Sequence, residues 1–254
     1  MKKNKTTTRL FLFGLIFPFM LNAQSIGGWD IKKGEKLKFK VAFSSGLTGD
    51  IKGGEAVMSV MPQITKVNGN DAYHVTLTGT TKGLIKMFYQ VDNKYESFIS
   101  TKTNAPFIFR QSVHENKYTS NDTVYFDQNK KVVTYKNQKM SMPENTQDFL
   151  SVFYYVRSLD MNKLKEGDNF TVSFFTSEKV ANFNIVYKGI QKIKTKKLGE
   201  VSCYSFMPQI PTGKVFSQQY PATMWISADS LRLPVLVDAK MKVGKMKMEL
   251  IDYQ

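Results

Sequence analysis

Apolar and polar residues alternate along most of this chain. In residues 37–43 the apolar set is Leu37, Phe39, Val41 and Phe43, and lysines occupy most of the positions between them. Because successive side chains of a strand point to opposite faces, this pattern predicts a half-buried strand. The same period of two recurs between turn residues in AYHVTLTGT, PFIFRQSVHENKY, TVYFD, KVVTYKN, NFTVSFF, FNIVYKG, EVSCYSFMP, ATMWIS, LPVLVDAKMKV and KMKMELIDY.

One segment, NTQDFLSVFYYVRSLD at residues 145–160, breaks the alternation. Its apolar residues recur every three or four positions, which is the spacing of one helix face. Asp148 near its start suits the positive end of a helix dipole. The pattern predicts a single helix over residues 146–159. We expect its apolar face to pack against the sheet; that face comprises Phe149, Val152, Phe153 and Val156.

These elements predict a mainly β protein. Short strands at this spacing are typical of a strongly curved antiparallel sheet, barrel-like or half-barrel-like, with the one helix packed on it. We predict one domain over residues 24–254. The similar openings KKGEKLKFKVAF and LKEGDNFTVSFF suggest two β halves, 30–143 and 161–254, joined by the helix. Ordinary turn-then-strand sequence explains one such pair equally well.

The N-terminal residues predict export. Residues 1–9 carry four cations and no acid, residues 10–21 (LFLFGLIFPFML) are apolar, and the small residue Ala23 follows. A basic, then apolar, then small-residue order is that of a secretory signal peptide. The apolar run is shorter than the roughly 20 residues of a membrane-spanning helix. We therefore predict a signal peptide over residues 1–23 and a periplasmic or secreted mature protein that begins near Gln24.

The net charge of the chain narrows the choice of binding partners. The 254 residues carry a formal net charge of +15, which suits solubility or contact with an anionic membrane surface. No nucleic-acid-binding motif occurs, so we expect no nucleic acid partner.

Cys203 cannot form an intramolecular disulfide, and its alternating surroundings predict a small buried side chain. The sequence carries no signal for the oligomeric state.

No catalytic motif accompanies the two histidines, His74 and His114. Neither lies in a nucleophile or zinc motif, and no glycine-rich phosphate loop opens a helix. Asp92 and Glu96 would lie about 13 Å apart along one strand face, too far for a glycosidase pair. We therefore expect no catalytic residues, no metal and no cofactor.

Arg157 lies beside the apolar stripe of the predicted helix. A buried guanidinium without a partner is costly, so it must reach solvent or pair with an anion. We predict a structural ion pair between Arg157 and Asp92 or Glu96; Glu115 and Asp238 are further candidates. In that arrangement residues 87–101 (MFYQVDNKYESFIST) form a docking strand for the helix.

The alternative partner of Arg157 is the carboxylate or phosphate of a ligand. The chain contains 19 Phe and 12 Tyr, and a curled sheet with so many large side chains can enclose an apolar cavity or be filled by them. The candidate ligand-binding residues are Arg157, Tyr95 and Arg110.

Four stretches together resemble a known family. They are VDNKYESFISTKTNAPFIFRQSVHENKY, GEKLKFKVAF, QDFLSVFYYVRSLD and MWISADSLRLPVLVDAKMKVGKMKMEL. Their order resembles the exported bacterial family labelled domain of unknown function 3108, over most of residues 30–254. The resemblance implies a β-rich periplasmic or secreted protein, and it implies no activity, cofactor or catalytic residue.

Two functions follow as expectations. The first is a non-catalytic binding or carrier module for a hydrophobic or amphipathic molecule of the cell envelope, such as a lipid. The second is a structural or scaffolding envelope protein with a filled core and no small-molecule ligand. A dry cavity lined by aromatic residues would favour the first, and a solid interior with an apolar surface patch the second. An enzyme is the least supported of the three classes.

Overall fold

The computed structural model describes residues 29–45, 49–83, 86, 90–176, 179–213 and 215–254. The predicted signal peptide, residues 1–23, lies outside these described residues. So do residues 87–89, the first three of the segment predicted to dock the helix.

The described chain is mainly β-strand. One α-helix, α1 (Ser151–Ser158), and one 3₁₀ turn (Met161–Lys163) follow the ninth strand. The strands are β1 (Lys36–Ser45), β2 (Gly49–Val60), β3 (Thr65–Val67), β4 (Asn70–Thr81), β5 (Asp92–Ser100), β6 (Pro106–Glu115), β7 (Tyr118–Asp127), β8 (Val132–Tyr135), β9 (Gln138–Ser141), β10 (Asn169–Phe175), β11 (Val180–Thr195), β12 (Gly199–Pro208), β13 (Ala222–Ser227), β14 (Pro234–Lys240) and β15 (Lys245–Tyr253).

All these strands form one antiparallel sheet. Its order is β10-β11-β12-β13-β14-β15-β1-β2-β4-β5-β6-β7-β8-β9, with β3 paired to β4 beside this path. The early set β1–β9 and the late set β10–β15 therefore meet where β1 pairs with β15. In that register Leu37 lies opposite Tyr253 and Phe43 opposite Met246. The helix separates the two sets along the sequence, while the similarity of two halves stays a prediction.

The sheet curls back on itself without closing. Among the described residues, its two ends are linked by one parallel bridge between Gln147 and Phe174. The Gln147 amide donates to the Ser173 carbonyl at 2.7 Å, and the Phe175 amide donates to the Gln147 carbonyl at 2.9 Å. The rings of Phe175 and Tyr135, from strands at opposite ends of the sheet, have centroids 5.6 Å apart. The predicted fold, a curved antiparallel sheet with one packed helix, is confirmed.

Helix α1 lies between two apolar clusters. Leu150 and Tyr154 belong to the cluster of the early strands, and Val156 and Leu159 belong to that of the late strands. The helix is thus covered on more than one side.

A smaller cluster encloses Cys203, where burial raises the pKa of the thiol to about 11.

The position of the helix was predicted, but its start was wrong, and of its predicted face Val152, Phe153 and Val156 pack on the apolar clusters while Phe149 does not. It begins at Ser151 because the residues before it have other bonds, Gln147 to β10 and Asp148 to the first helical amides. Phe149 is 42% exposed, and only Val156 of the predicted face is fully buried. Periodicity assigns one apolar face, whereas a helix packed on two sides also buries polar residues that find partners. The buried helical residues are Ser151, Tyr154, Val156, Arg157 and Ser158.

Candidate functional site

A buried ion pair holds the C-terminal end of α1. Arg157 is 1% exposed, and its two terminal nitrogens donate to the two oxygens of Glu35 at 2.8 and 2.6 Å. One of them also donates to the Leu231 carbonyl at 3.2 Å. The guanidinium lies over the rings of Trp29, at 4.4 Å, and Tyr154, at 5.2 Å. A bidentate pair in these surroundings fixes the helix to the turn before β1.

The predicted ion pair of Arg157 with Asp92 or Glu96 was wrong. Along β5 the residues at even numbers face away from the helix. On that face the Glu96 carboxylate forms a hydrogen bond with the His74 Nε2 at 3.0 Å and an ion pair with the Lys94 Nζ at 3.2 Å. Because strand side chains alternate, neither acid can reach a helix that packs on the opposite face.

A second buried charge, Asp148, lies at the N-terminal end of α1. Its Oδ2 accepts from the Ser97 hydroxyl at 2.6 Å. Its Oδ1 accepts from the amides of Leu150, at 2.7 Å, and Ser151, at 2.8 Å. Burial raises the pKa of Asp148 to about 6, although these hydrogen bonds act in the opposite direction. Strand β5 therefore docks the helix through Ser97.

A cavity of about 330 Å³ lies where the two ends of the sheet approach each other. Strands β5 to β8 form one wall, and Phe149, two residues before α1, forms the other together with the end of β10. Its volume is within the range of small-molecule sites. The lining residues are mainly aromatic: Tyr95, Phe109, Gln111, Asp122, Val124, Tyr135, Phe149, Phe174, Phe175 and Thr176.

Aromatic contacts build the apolar part of this cavity. The Tyr95 ring lies 5.2 Å from that of Phe149 and 6.3 Å from that of Phe109. Phe149, outside the helix and partly exposed, presents its ring to this space rather than to the core. The residue that sequence periodicity assigned to the core is thus part of the cavity wall.

Of the three candidate ligand-binding residues, Tyr95 alone lines the cavity. Arg157 is occupied by Glu35. Arg110 is exposed, and its guanidinium lies 5.3 Å from the ring of Phe98 on the other face of the sheet. Its neighbours Phe109 and Gln111 line the cavity, so alternation places Arg110 outside.

The polar end of the cavity is organised by Asp122. Its carboxylate accepts from the Ser120 hydroxyl at 2.6 Å, the Gln111 Nε2 at 3.1 Å and the Tyr135 hydroxyl at 3.2 Å. The Lys136 Nζ lies 3.5 Å from its Oδ1. The bond from Ser120 is the largest influence on the pKa of Asp122 and lowers it; Gln111, Tyr135 and Lys136 act in the same direction.

Sequence reasoning missed Asp122, although a signal was present. Asp122, Val124 and Phe126 have the same parity along β7, and the two apolar residues are buried. An acid on the apolar face of a strand requires partners, just as Arg157 does beside the apolar stripe of the helix. Ser120 and Asn121, which are turn-type residues, precede it, and the predicted strand TVYFD began only at Thr123.

Within the described ranges, no group of three or more His, Cys, Asp and Glu side chains is placed to hold a metal ion. None of the helices formed by the described residues has the length and apolar character that crossing a membrane requires.

The sequence profile of a family described as a protein of unknown function, DUF3108, matches residues 38–251. The chain belongs to this family. A search of curated protein sequences finds no match.

A solved structure shows the same kind of fold. The crystal structure of a β-barrel-like protein of the domain of unknown function DUF1849 from Brucella abortus superposes with a TM-score of 0.57 at 8% identity, covering 89% of this chain and 98% of that one. A presumed lipoprotein from Parabacteroides distasonis gives a TM-score of 0.33 at 11% identity, covering 89% and 97%. The first likeness supports a β-barrel-like fold.

Proposed function

We propose that this protein is a non-catalytic binding or carrier protein for a hydrophobic or amphipathic molecule and that the ligand occupies the cavity between β5–β8 and β10. The observation that carries the proposal is the lining, in which rings from both ends of the sheet surround a space of about 330 Å³. Apolar walls with a few placed polar groups are typical of small-molecule sites.

The proposed place of action is the cell envelope. The basic, apolar and small-residue order of residues 1–24 supports export. The excess of cations that remains without the four in residues 1–9 supports contact with anionic membrane surfaces. N-terminal sequencing of protein recovered from the envelope fraction should find Gln24 first. An intact Met1 in the membrane fraction would contradict export with cleavage.

Binding is tested with a neutral fluorescent probe, N-phenyl-1-naphthylamine, and a matched pair of variants. Thr176→Trp places a large side chain in the cavity, whereas Thr123→Trp places the same side chain on the other face of β7, opposite Arg110. We expect Thr176→Trp to weaken probe binding at least about tenfold, because the bulk displaces the ligand, and Thr123→Trp to leave it unchanged.

Two controls complete this test. Thermal melts establish that both variants are folded, and native mass spectrometry of the purified protein looks for a co-purified lipid. If the probe does not bind the unmodified protein, or binds both variants equally, the cavity is not the binding site.

A further inference from the structure

The hydrogen-bond donors around the cavity converge on one carboxylate. Asp122 accepts from Gln111 and Tyr135, which line the cavity with it, and from Ser120. A carboxylate has only acceptor atoms, so these bonds fix the Gln111 amide with its nitrogen toward Asp122. The Tyr135 hydroxyl proton is likewise directed to Asp122 rather than to a ligand.

The hydrogen-bonding capacity left in the cavity is mainly that of acceptors. Gln111 keeps its Oε1. Thr176 donates its hydroxyl proton to the Lys179 carbonyl at 2.9 Å, so its lone pairs remain. The Tyr95 hydroxyl accepts from the Asn93 Nδ2 at 3.4 Å. Among the described lining side chains, the donors left are the Tyr95 hydroxyl proton and the second Gln111 N–H.

Among the described residues that line the cavity, no side chain carries a positive charge. Among the described lining residues, Asp122 alone is charged. Lys136 has a side chain 67% exposed, and its Nζ is already held 3.5 Å from Asp122 and 5.0 Å from the Tyr135 ring centroid. Its positive charge is balanced by Asp122, while Arg157 and Arg110 are held elsewhere.

We propose that the cavity selects apolar-chain ligands whose polar end is an uncharged or cationic hydrogen-bond donor, such as a hydroxyl, amide or amine, and discriminates against carboxylates and phosphates. An anionic group would lie beside Asp122 and would meet acceptors that leave its oxygens unpaired; such mismatches reduce affinity for the wrong ligand. This inference rests on the proposed binding function and adds the ligand class.

The test uses three probes with the same C18 monounsaturated chain: oleyl alcohol, oleylamine and oleate. Each competes with N-phenyl-1-naphthylamine at pH 7.5, below its aggregation concentration. We expect the alcohol and the amine to displace the probe at concentrations at least about tenfold lower than oleate, because one unfavourable charge contact is worth about that much.

Matched variants assign the preference to Asp122. Asp122→Asn should reduce the discrimination against oleate about tenfold, while Asp127→Asn, on the same strand but outside the cavity, should leave it unchanged. Lys136→Gln, at an exposed position that does not threaten folding, should increase the discrimination because it removes the charge that balances Asp122.

Each outcome decides between the two proposals. Oleate binding as tightly as the alcohol, with a loss of oleate binding in Lys136→Gln, would overturn the ligand class and leave the binding function standing. Equal effects of the Asp122 and Asp127 variants would also overturn it. Failure of every probe to bind would overturn the binding function itself, and the ligand class with it.

Discussion

The two ends of α1 each bury a charge, and they stabilise it differently. Arg157 and Asp148 are both 1% exposed. Arg157 has an opposite charge, Glu35, in bidentate contact, whereas Asp148 has only neutral donors, one hydroxyl and two amides. The pKa of Asp148 accordingly rises to about 6, because burial outweighs its hydrogen bonds.

This difference shows what each arrangement gives the protein. A buried ion pair is vulnerable to the loss of either partner, because the other is left as an uncompensated charge. A carboxylate held by neutral donors can instead lose its charge by taking up a proton. The C-terminal end of the helix should therefore depend on residue identity, and the N-terminal end should depend on pH.

The largest expected effect is at the ion pair. Arg157→Met or Glu35→Gln should lower the free energy of unfolding by about 3–5 kcal/mol, since each leaves one buried charge unpaired. The double variant should lose much less than the sum of the single variants. Urea denaturation of all three measures this coupling.

An exposed pair serves as the control for that cycle. Lys38 Nζ and Glu55 Oε2 are 3.1 Å apart at the surface, so Lys38→Met should cost less than about 1 kcal/mol. Additive effects of the Arg157 and Glu35 changes would show that the two residues are not coupled, and the distinction between the helix ends would fail.

The next effect is the pH dependence of Asp148. Its pKa is raised from 3.8 when unfolded to about 6 when folded, so the folded state carries a penalty that is complete above pH 6 and absent below about pH 4. Relative to Asp148→Asn, the unmodified protein should therefore gain about 2 kcal/mol of stability between pH 7 and pH 4.

Asp127 serves as a control with the opposite pH dependence, because its hydrogen bonds to Lys130 lower its pKa. The free energy of unfolding of the unmodified protein should exceed that of Asp127→Asn at neutral pH, and this difference should shrink as the pH falls. A stability difference between the unmodified protein and Asp148→Asn that is the same at pH 4 and pH 7 would show that Asp148 does not titrate in this range.

A smaller effect is expected at Ser97. Ser97→Ala removes one of the three donors to Asp148 and should cost about 1–3 kcal/mol at pH 7, when the carboxylate is charged. The cost should shrink at pH 4. Ser202→Ala, at an exposed position on β12, is the matched control and should be nearly neutral. An equal cost at both pH values would show that the contribution of Ser97 to stability does not depend on the charge of Asp148.

The smallest expected effect is that of Phe149→Ala. Because its ring is partly exposed in the cavity, the loss should be under about 1 kcal/mol. The adjacent Leu150 is fully buried, and Leu150→Ala should cost about 2–5 kcal/mol. Thermal melts of the pair test which residue anchors the N-terminal end, and a larger loss at Phe149 would reverse the assignment.

Local pattern predicted the elements of this fold, because alternation of apolar and polar residues reflects the two faces of each strand. It also showed that Arg157 needs an anion. It could not identify Glu35, which lies 122 residues earlier in a turn that resembles a solvated loop. Only the packing of that turn against the helix brings the two side chains together.

The same limit applied to the cavity. Tyr95 was a candidate ligand-binding residue, and it lines the cavity. Arg110 could have been excluded from the candidates, because alternation places it on the face opposite to Phe109 and Gln111. Asp122 was detectable as an acid on an apolar strand face. The cavity itself depends on how far the sheet curls, and residues 174–176 reach it from the far end of the sheet, which no local pattern reports.

The pairing of β1 with β15 has a consequence for how the protein acquires its structure. Lys36 and Gln254 exchange both backbone hydrogen bonds at 3.0 Å, so the seam between the early and late strands joins residues from distant parts of the chain. Contacts at such separation require closure of a very long loop and slow the folding of β proteins. The seam cannot form during synthesis until β15 has left the ribosome. Before that moment β1 has an unpaired edge, and an unpaired edge strand is a template for association with other chains.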